Sequence, residues 1–250
     1  MVHNNQEVLE YWNTEEVESM YDKNLLNAEI ELIKAHIPPN AMVLDVGCGE
    51  GEGTLAYSAI PGTRIHAIDF SETRLRKATE RLKSASTVEL DRKDMLAEEP
   101  LGSRKYDVIV SQRFLINLME WALQKKVLGR LTAALNPGGR LILLEGSKDG
   151  VNRLNGLRAL WGLDPIPIKW HNLFLDDKEL CAALSEQGLA LRHQSGLGAY
   201  FVLTRCVRPA LSEKLDWDFA FNRIAASSEA RQMGIDDAFS RLKLWVFQNS

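Results

Sequence analysis

The stretch Val43-Leu44-Asp45-Val46-Gly47-Cys48-Gly49-Glu50-Gly51 sets a short apolar strand directly against a turn with glycine at every second position. Glycine reaches positive φ at little steric cost and lacks the Cβ that would hold a ligand away from the main chain. The turn can therefore be tight and lie close against a cofactor. Thr54 to Ala59 follows as the helix that such a turn opens, its free N–H groups and positive dipole end facing the ligand. Asp45 falls near the carboxyl end of the strand, where open α/β sheets bind their ligands.

Spacing limits which ligand. A nicotinamide fingerprint reads G-x-G-x-x-G, but Gly47 and Gly49 are followed by Glu52 where the third glycine would stand. A pyrophosphate would meet a carboxylate there. A ligand with a sulfonium, an amine and no phosphate meets no such conflict, and Asp45 can help to hold its cation. Val43 to Gly51 resembles motif I of the class I S-adenosylmethionine-dependent methyltransferases.

Three further stretches resemble that family's core in the same order. Arg64 to Ser71 reads as a second strand ending in an acid, Asp69, which lies about 20 residues past the glycine turn, as a ribose-binding carboxylate does. Val88-Glu89-Leu90 leads into Lys93-Asp94-Met95-Leu96; the resemblance implies that Asp94 accepts from the adenine amine and that the Met95 N–H meets the ring. Tyr106 to Ser111 has the β-branched composition of a strand buried on both faces. A helix from Trp121 to Leu135, a stop and turn at Leu135 to Arg140 and a fifth strand at Leu141 to Glu145 complete the set.

The resemblance implies a three-layer Rossmann-like fold with a seven-stranded sheet, mostly parallel with an antiparallel last strand. N-terminal helices and a helical insertion or lid are added to it. It also implies S-adenosylmethionine as cofactor and S-adenosylhomocysteine as product. A single domain over residues 1–250 is expected: a helical arm (1–40), the cofactor-binding core (41–146), a substrate loop or lid (147–180), and a C-terminal half of the sheet with a helical insertion (181–250). The cofactor-binding residues would be Asp45, Gly47, Cys48, Gly49, Asp69, Phe70, Asp94, Met95, Ser111 and Trp12.

Charge narrows the partners. Thirty basic against 34 acidic residues, 30 − 34 = −4, does not suit a broad polyanion-binding surface, so nucleic acid is not an expected partner. Arg74, Arg76, Lys77, Arg81 and Lys83 alternate with Glu72, Glu80, Leu75 and Leu82 at helical spacing and read as a solvated helix face. No window reaches the ~18 apolar residues of a membrane span and no leader pattern opens the chain, so neither membrane attachment nor export is expected. Cys48, Cys181 and Cys206 are odd in number and far apart, without metal-ligand spacing, which fits a reducing cytoplasmic location and no metal. The oligomeric state, a homodimer among the options, is not legible.

Three outer pieces must choose the substrate. In residues 1–40, Asn13-Thr14 reads as a helix cap, the spacing of Leu25, Leu26, Ile30, Ile33 and Ile37 predicts a helix, and Pro38-Pro39 stops it. Tyr11 and Trp12, just before the cap, are equally lid residues or aromatic staples. Gly146 to Asp176 is longer than a βα loop requires and carries Asn152, Arg153, Asn155, Arg158, Trp161, Trp170, His171 and Asn172; it is expected to line an acceptor pocket. Between a sixth strand at Leu189 to His193 and a last strand at Leu242 to Phe247, Tyr200 to Val207 is taken as helix, and Trp217, Phe219 and Phe221 as core.

A sulfonium methyl is already activated, so in-line SN2 displacement needs mainly an acceptor held close and desolvated, with a base where a proton must leave. His171 titrates in the useful range but is equally a structural hydrogen-bonder. Glu145 is a base, an acceptor ligand or a holder of loop N–H groups. Arg113 suits an anionic or polyhydroxylated acceptor, or else anchors through Glu145. With Asn117, Trp170 and Asn172 it completes the substrate-binding set.

Ser111-Gln112-Arg113-Phe114 lacks the tetrad that amine methylation of DNA bases goes with in this family, and no carboxylate cluster of a metal-dependent catechol-type enzyme follows it. Arg113 to Leu118, Glu145-Gly146-Ser147 and Trp170-His171-Asn172 loosely resemble bacterial methyltransferases of surface-polysaccharide and small-molecule biosynthesis. That implies a sugar hydroxyl or similar acceptor, with amine or carboxyl methylation, or cofactor binding without catalysis, as alternatives.

Overall fold

The computed structural model describes residues 5–15, 17, 20–211 and 220–249. The elements run α1 (Asn5–Asn13), α2 (Lys23–Lys34), β1 (Met42–Val46), α3 (Glu52–Ser58), β2 (Arg64–Asp69), α4 (Glu72–Leu82), β3 (Val88–Arg92), β4 (Tyr106–Gln112) and α5 (Trp121–Ala133). They continue with β5 (Leu135–Gly146), α6 (Lys148–Leu160), α7 (Asp177–Glu186), β6 (Leu189–Gly196), α8 (Gly198–Val202), a π-helical turn (Leu203–Val207) and α9 (Arg208–Leu211). After α10 (Ala220–Ala225) and α11 (Ser228–Arg231), β7 (Leu242–Asn249) closes the order.

Among the described residues the strands form one seven-stranded sheet in the order β3-β2-β1-β4-β5-β7-β6, with β7 antiparallel to both its neighbours. The expected Rossmann-like architecture is therefore present. Residues adjacent along a strand point to opposite faces, and the packing follows this alternation. Val43, Val108 and Ile142 face α2 and α3 through Leu25, Ile33 and Tyr57, whereas Leu44, Ile109 and Leu143 face α5 and α7 through Leu128, Leu131, Leu180 and Leu184. These strand residues are fully buried, and each contributes about 1.5–3 kcal/mol relative to exposure.

Strand order reverses between β1 and β4, which lie side by side in parallel with β2 and β5 outside them. Loops leaving the carboxyl ends of β1 and β4 diverge there and open a crevice. Side-chain caps fix where the flanking helices begin: Asp22 accepts from the Leu25 N–H at 3.1 Å, Ser71 from Arg74 at 3.3 Å and Ser147 from Gly150 at 2.9 Å.

Several boundaries differ from expectation. Asn13-Thr14 ends a helix rather than starting one: the Thr14 hydroxyl donates back to the Glu10 carbonyl at 3.1 Å, and Tyr11 and Trp12 lie in the last turn of α1. The next helix starts at the Asp22 cap. The helix after the glycine turn opens at Glu52, not Thr54. Asn136 to Gly139, expected as a turn before the fifth strand, lies within β5 as a bulge, because Tyr106 pairs with Leu135 while Val108 pairs with Arg140. Gly138, at φ +73°, takes that bend. The first half of the long segment after β5 is a helix, α6, capped by Ser147. Tyr200 to Val207 is helical, with a π-turn; Trp217 and Phe219 lie outside the described residues.

Candidate active site

The glycine turn hangs on β2. The Gly47 and Cys48 N–H groups both donate to the Ile68 carbonyl, at 2.8 and 3.0 Å. Gly47, at φ +69°, leaves no room for a side chain, since a Cβ would come 2.7 Å from the Phe114 ring. Asp69, at the end of β2, accepts from the Gly49 N–H at 2.9 Å and from the Ser71 N–H at 2.8 Å. Asp45 is 4% exposed and accepts from the Thr54 hydroxyl at 2.6 Å. Burial pushes its carboxyl up to about 6 and raises that of Asp69 as well.

These groups open onto a cavity of about 610 Å³ above the carboxyl ends of the strands. Asp45, Gly47, Cys48, Gly49, Asp69, Phe70, Asp94, Met95 and Trp12 line it. The Asp94 carboxylate accepts from the Leu96 N–H at 2.8 Å, which fixes the turn after β3. Cys48 is part-buried near Asp45 and Asp69, and burial with those carboxylates raises its thiol well above the usual range, which disfavours the thiolate.

The loop after β4 is organised by Glu145. Fully buried, it accepts from the Ser111 hydroxyl at 2.7 Å, from the N–H groups of Phe114 and Leu115 at 3.0 Å and from Ile116 at 3.3 Å. Burial pushes its carboxyl up to about 7, against four donors that favour the charged form. Neither Glu145 nor Ser111 borders the cavity. The four donors engage both carboxylate oxygens, as expected of a holder of loop N–H groups, and the pair shapes the loop from beneath.

Arg113 does line the cavity, held at φ +54° by its N–H bond to the Leu144 carbonyl at 2.8 Å. Its partner is Glu29 of α2, 3.2 Å from Nε, and not Glu145. Gln112 joins them, donating to Glu29 at 2.7 Å and accepting from Tyr57 at 3.1 Å. Nothing in the sequence ties Glu29 to this site, because it sits on an otherwise ordinary amphipathic helix.

The N-terminal helix roofs the cavity. The Trp12 indole donates to Asn117 at 3.0 Å, and Asn117 donates to the Arg113 carbonyl at 2.7 Å. Tyr11 stacks on His171 with centroids 4.5 Å apart, while Trp12 meets His171 edge-on at 5.4 Å. Trp170, 42% exposed, packs edge-on against Tyr11 and His171 from outside and does not border the cavity; Asn172 does. His171 is 4% exposed and its Nδ1 has no hydrogen-bond partner among the described residues. Burial and nearby Lys169 lower its imidazole to about 4, which leaves it neutral.

Arg74 is the residue the sequence reading misplaced. Expected on a solvated face, it is 2% exposed, pairs with Glu50, and donates to the carbonyls of Trp12 and Val17. A trace was available: Arg74, Ala78 and Leu82 recur every fourth residue on the buried stripe of α4. Away from the cavity, His66, Glu89 and Asp91 bring three ligand-type atoms within 4.8 Å of one another, with Arg104 bound to Glu89 at 2.9 Å and Lys93 near Asp91 at 3.4 Å.

Residues 43–139 match the methyltransferase domain family. Together with the strand order, this gives the chain the Rossmann-like fold found in S-adenosylmethionine-dependent methyltransferases, the match itself covering less than half of the chain. The chain is 31% identical over 138 residues to demethylmenaquinone methyltransferase of Staphylococcus aureus, covering 54% of this chain and 55% of that relative, so it spans about half the length of the curated relatives it matches. Among solved structures it is similar to magnesium protoporphyrin IX methyltransferase from Synechocystis PCC 6803 with bound S-adenosylhomocysteine (14% identical, TM-score 0.60, covering 98% of this chain and 94% of that one). It is also similar to the cyclase SpnF (18% identical, TM-score 0.57, covering 88% and 79%). At these identities the structures share a fold.

Proposed function

We propose that the chain transfers the methyl group of S-adenosylmethionine to a hydroxyl of a small polar acceptor, a sugar or related metabolite, within the cavity beneath α1. One observation carries this reading: two buried carboxylates beside the glycine turn, Asp45 and Asp69, share a cavity with the ring of His171. The fit to the cofactor rests on the backbone of Gly47, Cys48 and Gly49, which borders the cavity, and on anionic side chains that suit a cationic ligand.

The cofactor supplies a methyl already activated by its positive sulfur, so the chain has to place, desolvate and deprotonate. Asp69 would take the ribose hydroxyls, and Asp94 with the Met95 N–H the adenine edge. Asp45 would favour the positive end. Trp12 and Tyr11 exclude water from above, held by Asn117 and by stacking on His171. A neutral His171 would accept the acceptor's proton through a ring nitrogen open to the cavity.

Arg158, Arg205 and Arg241 on this cavity favour a polar acceptor. Calorimetry with wild type and Asp69→Ala, followed by a screen of sugar nucleotides and polar metabolites for incorporation of labelled methyl, tests the reading. Asp69→Ala should bind S-adenosylmethionine about 10- to 100-fold more weakly. Equal affinity would remove the cofactor assignment, and binding without incorporation into any acceptor would favour a regulator. Incorporation at nitrogen or carboxylate would replace the hydroxyl.

A further inference from the structure

Charge is divided along the cavity. The lining acids Asp45, Glu50, Glu52, Asp69 and Asp94 lie toward the glycine turn and the end of β3, with Arg74 and Lys93 among them, whereas Arg158, Lys169, Arg205, Arg208 and Arg241 come from the elements after β5, with Asp22 as the one lining acid paired there. Most arginines that reach the cavity are answered by the protein itself. Arg74 pairs with Glu50, Arg113 with Glu29, Arg205 with Asp22 at 3.0 Å, and Arg208 donates to Asn222 at 2.9 Å.

Arg241 has no such answer. It stands just before β7, with its guanidinium 5.3 Å from the centroid of the Phe174 ring, and makes no ion pair or side-chain hydrogen bond among the described residues. Burial and the neighbouring Arg205 lower it to about 10, still fully charged at neutral pH. Arg158 donates to the carbonyls of Asp164, at 2.7 Å, and of Arg205, and makes no ion pair among the described residues. A guanidinium offers five N–H donors in a planar fork that matches carboxylate and phosphate oxygens. Holding one out of bulk water beside a second cation, with those donors unused, is unfavourable unless a ligand completes it.

We infer that the acceptor carries an anionic oxygen group, a carboxylate or a phosphate, and that Arg241 binds it, with Arg205 and Arg158 adding positive potential. This rests on the proposed methyl transfer only in assigning the anion to the acceptor. The acidic end of the cavity then receives the cationic cofactor and the basic end the anionic acceptor, so each ligand is repelled from the other's place. The Phe174 ring helps to hold the guanidinium by a cation–π contact. The acceptors this selects are hydroxylated carboxylates and phosphates such as sugar acids or sugar phosphates.

The test is calorimetric titration of wild-type protein with malonate, inorganic phosphate and neutral malonamide at constant ionic strength, with and without saturating S-adenosylhomocysteine. One anion should bind and malonamide should not; stronger binding of malonate assigns a carboxylate, and of phosphate a phosphate. Arg241→Gln should weaken the anion by about tenfold or more while leaving S-adenosylhomocysteine affinity unchanged. Arg241→Lys, which keeps the charge, should retain part of it. No anion binding, equal binding of malonamide, or unchanged binding in Arg241→Gln would overturn the inference. If Arg241→Gln does not fold, the comparison of malonate and phosphate with malonamide on wild type decides. Failure of wild type to bind S-adenosylhomocysteine would sink the proposed function instead, with the anion titrations of the free protein still readable.

Discussion

Arg74 grips Trp12 twice: its Nε donates to the Trp12 carbonyl at 3.3 Å, and its guanidinium lies 5.3 Å from the centroid of the Trp12 ring. The cation–π contact and the hydrogen bonds dock α1 over the cavity, while Glu50 at the glycine turn neutralises the buried charge. Roof and cofactor turn thus share one side chain.

Arg74→Ala should loosen that roof. Chymotryptic cleavage after Tyr11 and Trp12 should quicken, and S-adenosylmethionine affinity should fall by about tenfold, because α1 would no longer shield the bound ligand. Unchanged proteolysis and affinity would show that α1 is held by its aromatic contacts alone.

Glu145→Ala strips the partner from one buried hydroxyl, two buried N–H groups and one part-buried N–H. Urea denaturation should show a loss of about 3–5 kcal/mol, the range for breaking a buried charged network. A fully stable variant with no turnover would return Glu145 to the chemistry.

Cofactor affinity should rise with pH around Asp45. Its carboxyl, lifted to about 6 by burial, is largely protonated at pH 5 and charged at pH 7. Only the charged form attracts the amine and sulfonium of S-adenosylmethionine, so affinity should drop by about tenfold between those values. Asp45→Asn should bind weakly and with a flatter pH dependence.

His171→Ala should reduce turnover far more than cofactor affinity; loss of both together would point to a role in holding Tyr11 and Trp12. The stability of the wild type carries a second readout. An imidazole lowered to about 4 in the folded protein takes its proton more readily when unfolded, so its contribution is complete above the unfolded value near 6.5. That contribution should be lost as pH falls from there toward 4. In His171→Phe this part of the pH dependence should disappear from denaturation curves.

What could be read from the sequence is what local chemistry specifies. The glycines of residues 47 to 51, the acids ending β1 and β2 and the β-branched runs of β1 and β4 each depend on neighbours within a few residues, so they announced the sheet and its cofactor turn. The bulge at Gly138 was blurred with a turn because a positive φ serves both, and only the pairing of Tyr106 and Val108 with β5 separates them.

Tertiary structure alone decided the rest. Arg74 and Arg76 look alike in sequence, yet one is buried against Trp12 and the other exposed. Glu145 and Asp69 both end strands, but one is filled by loop donors under the sheet edge while the other borders the cavity. Glu29 reaches Arg113 across 84 residues of chain, and Arg241 meets Phe174 across 67. The charge state and role of a side chain depend on which groups surround it in space, and for these residues the chain supplies those groups from far along its length.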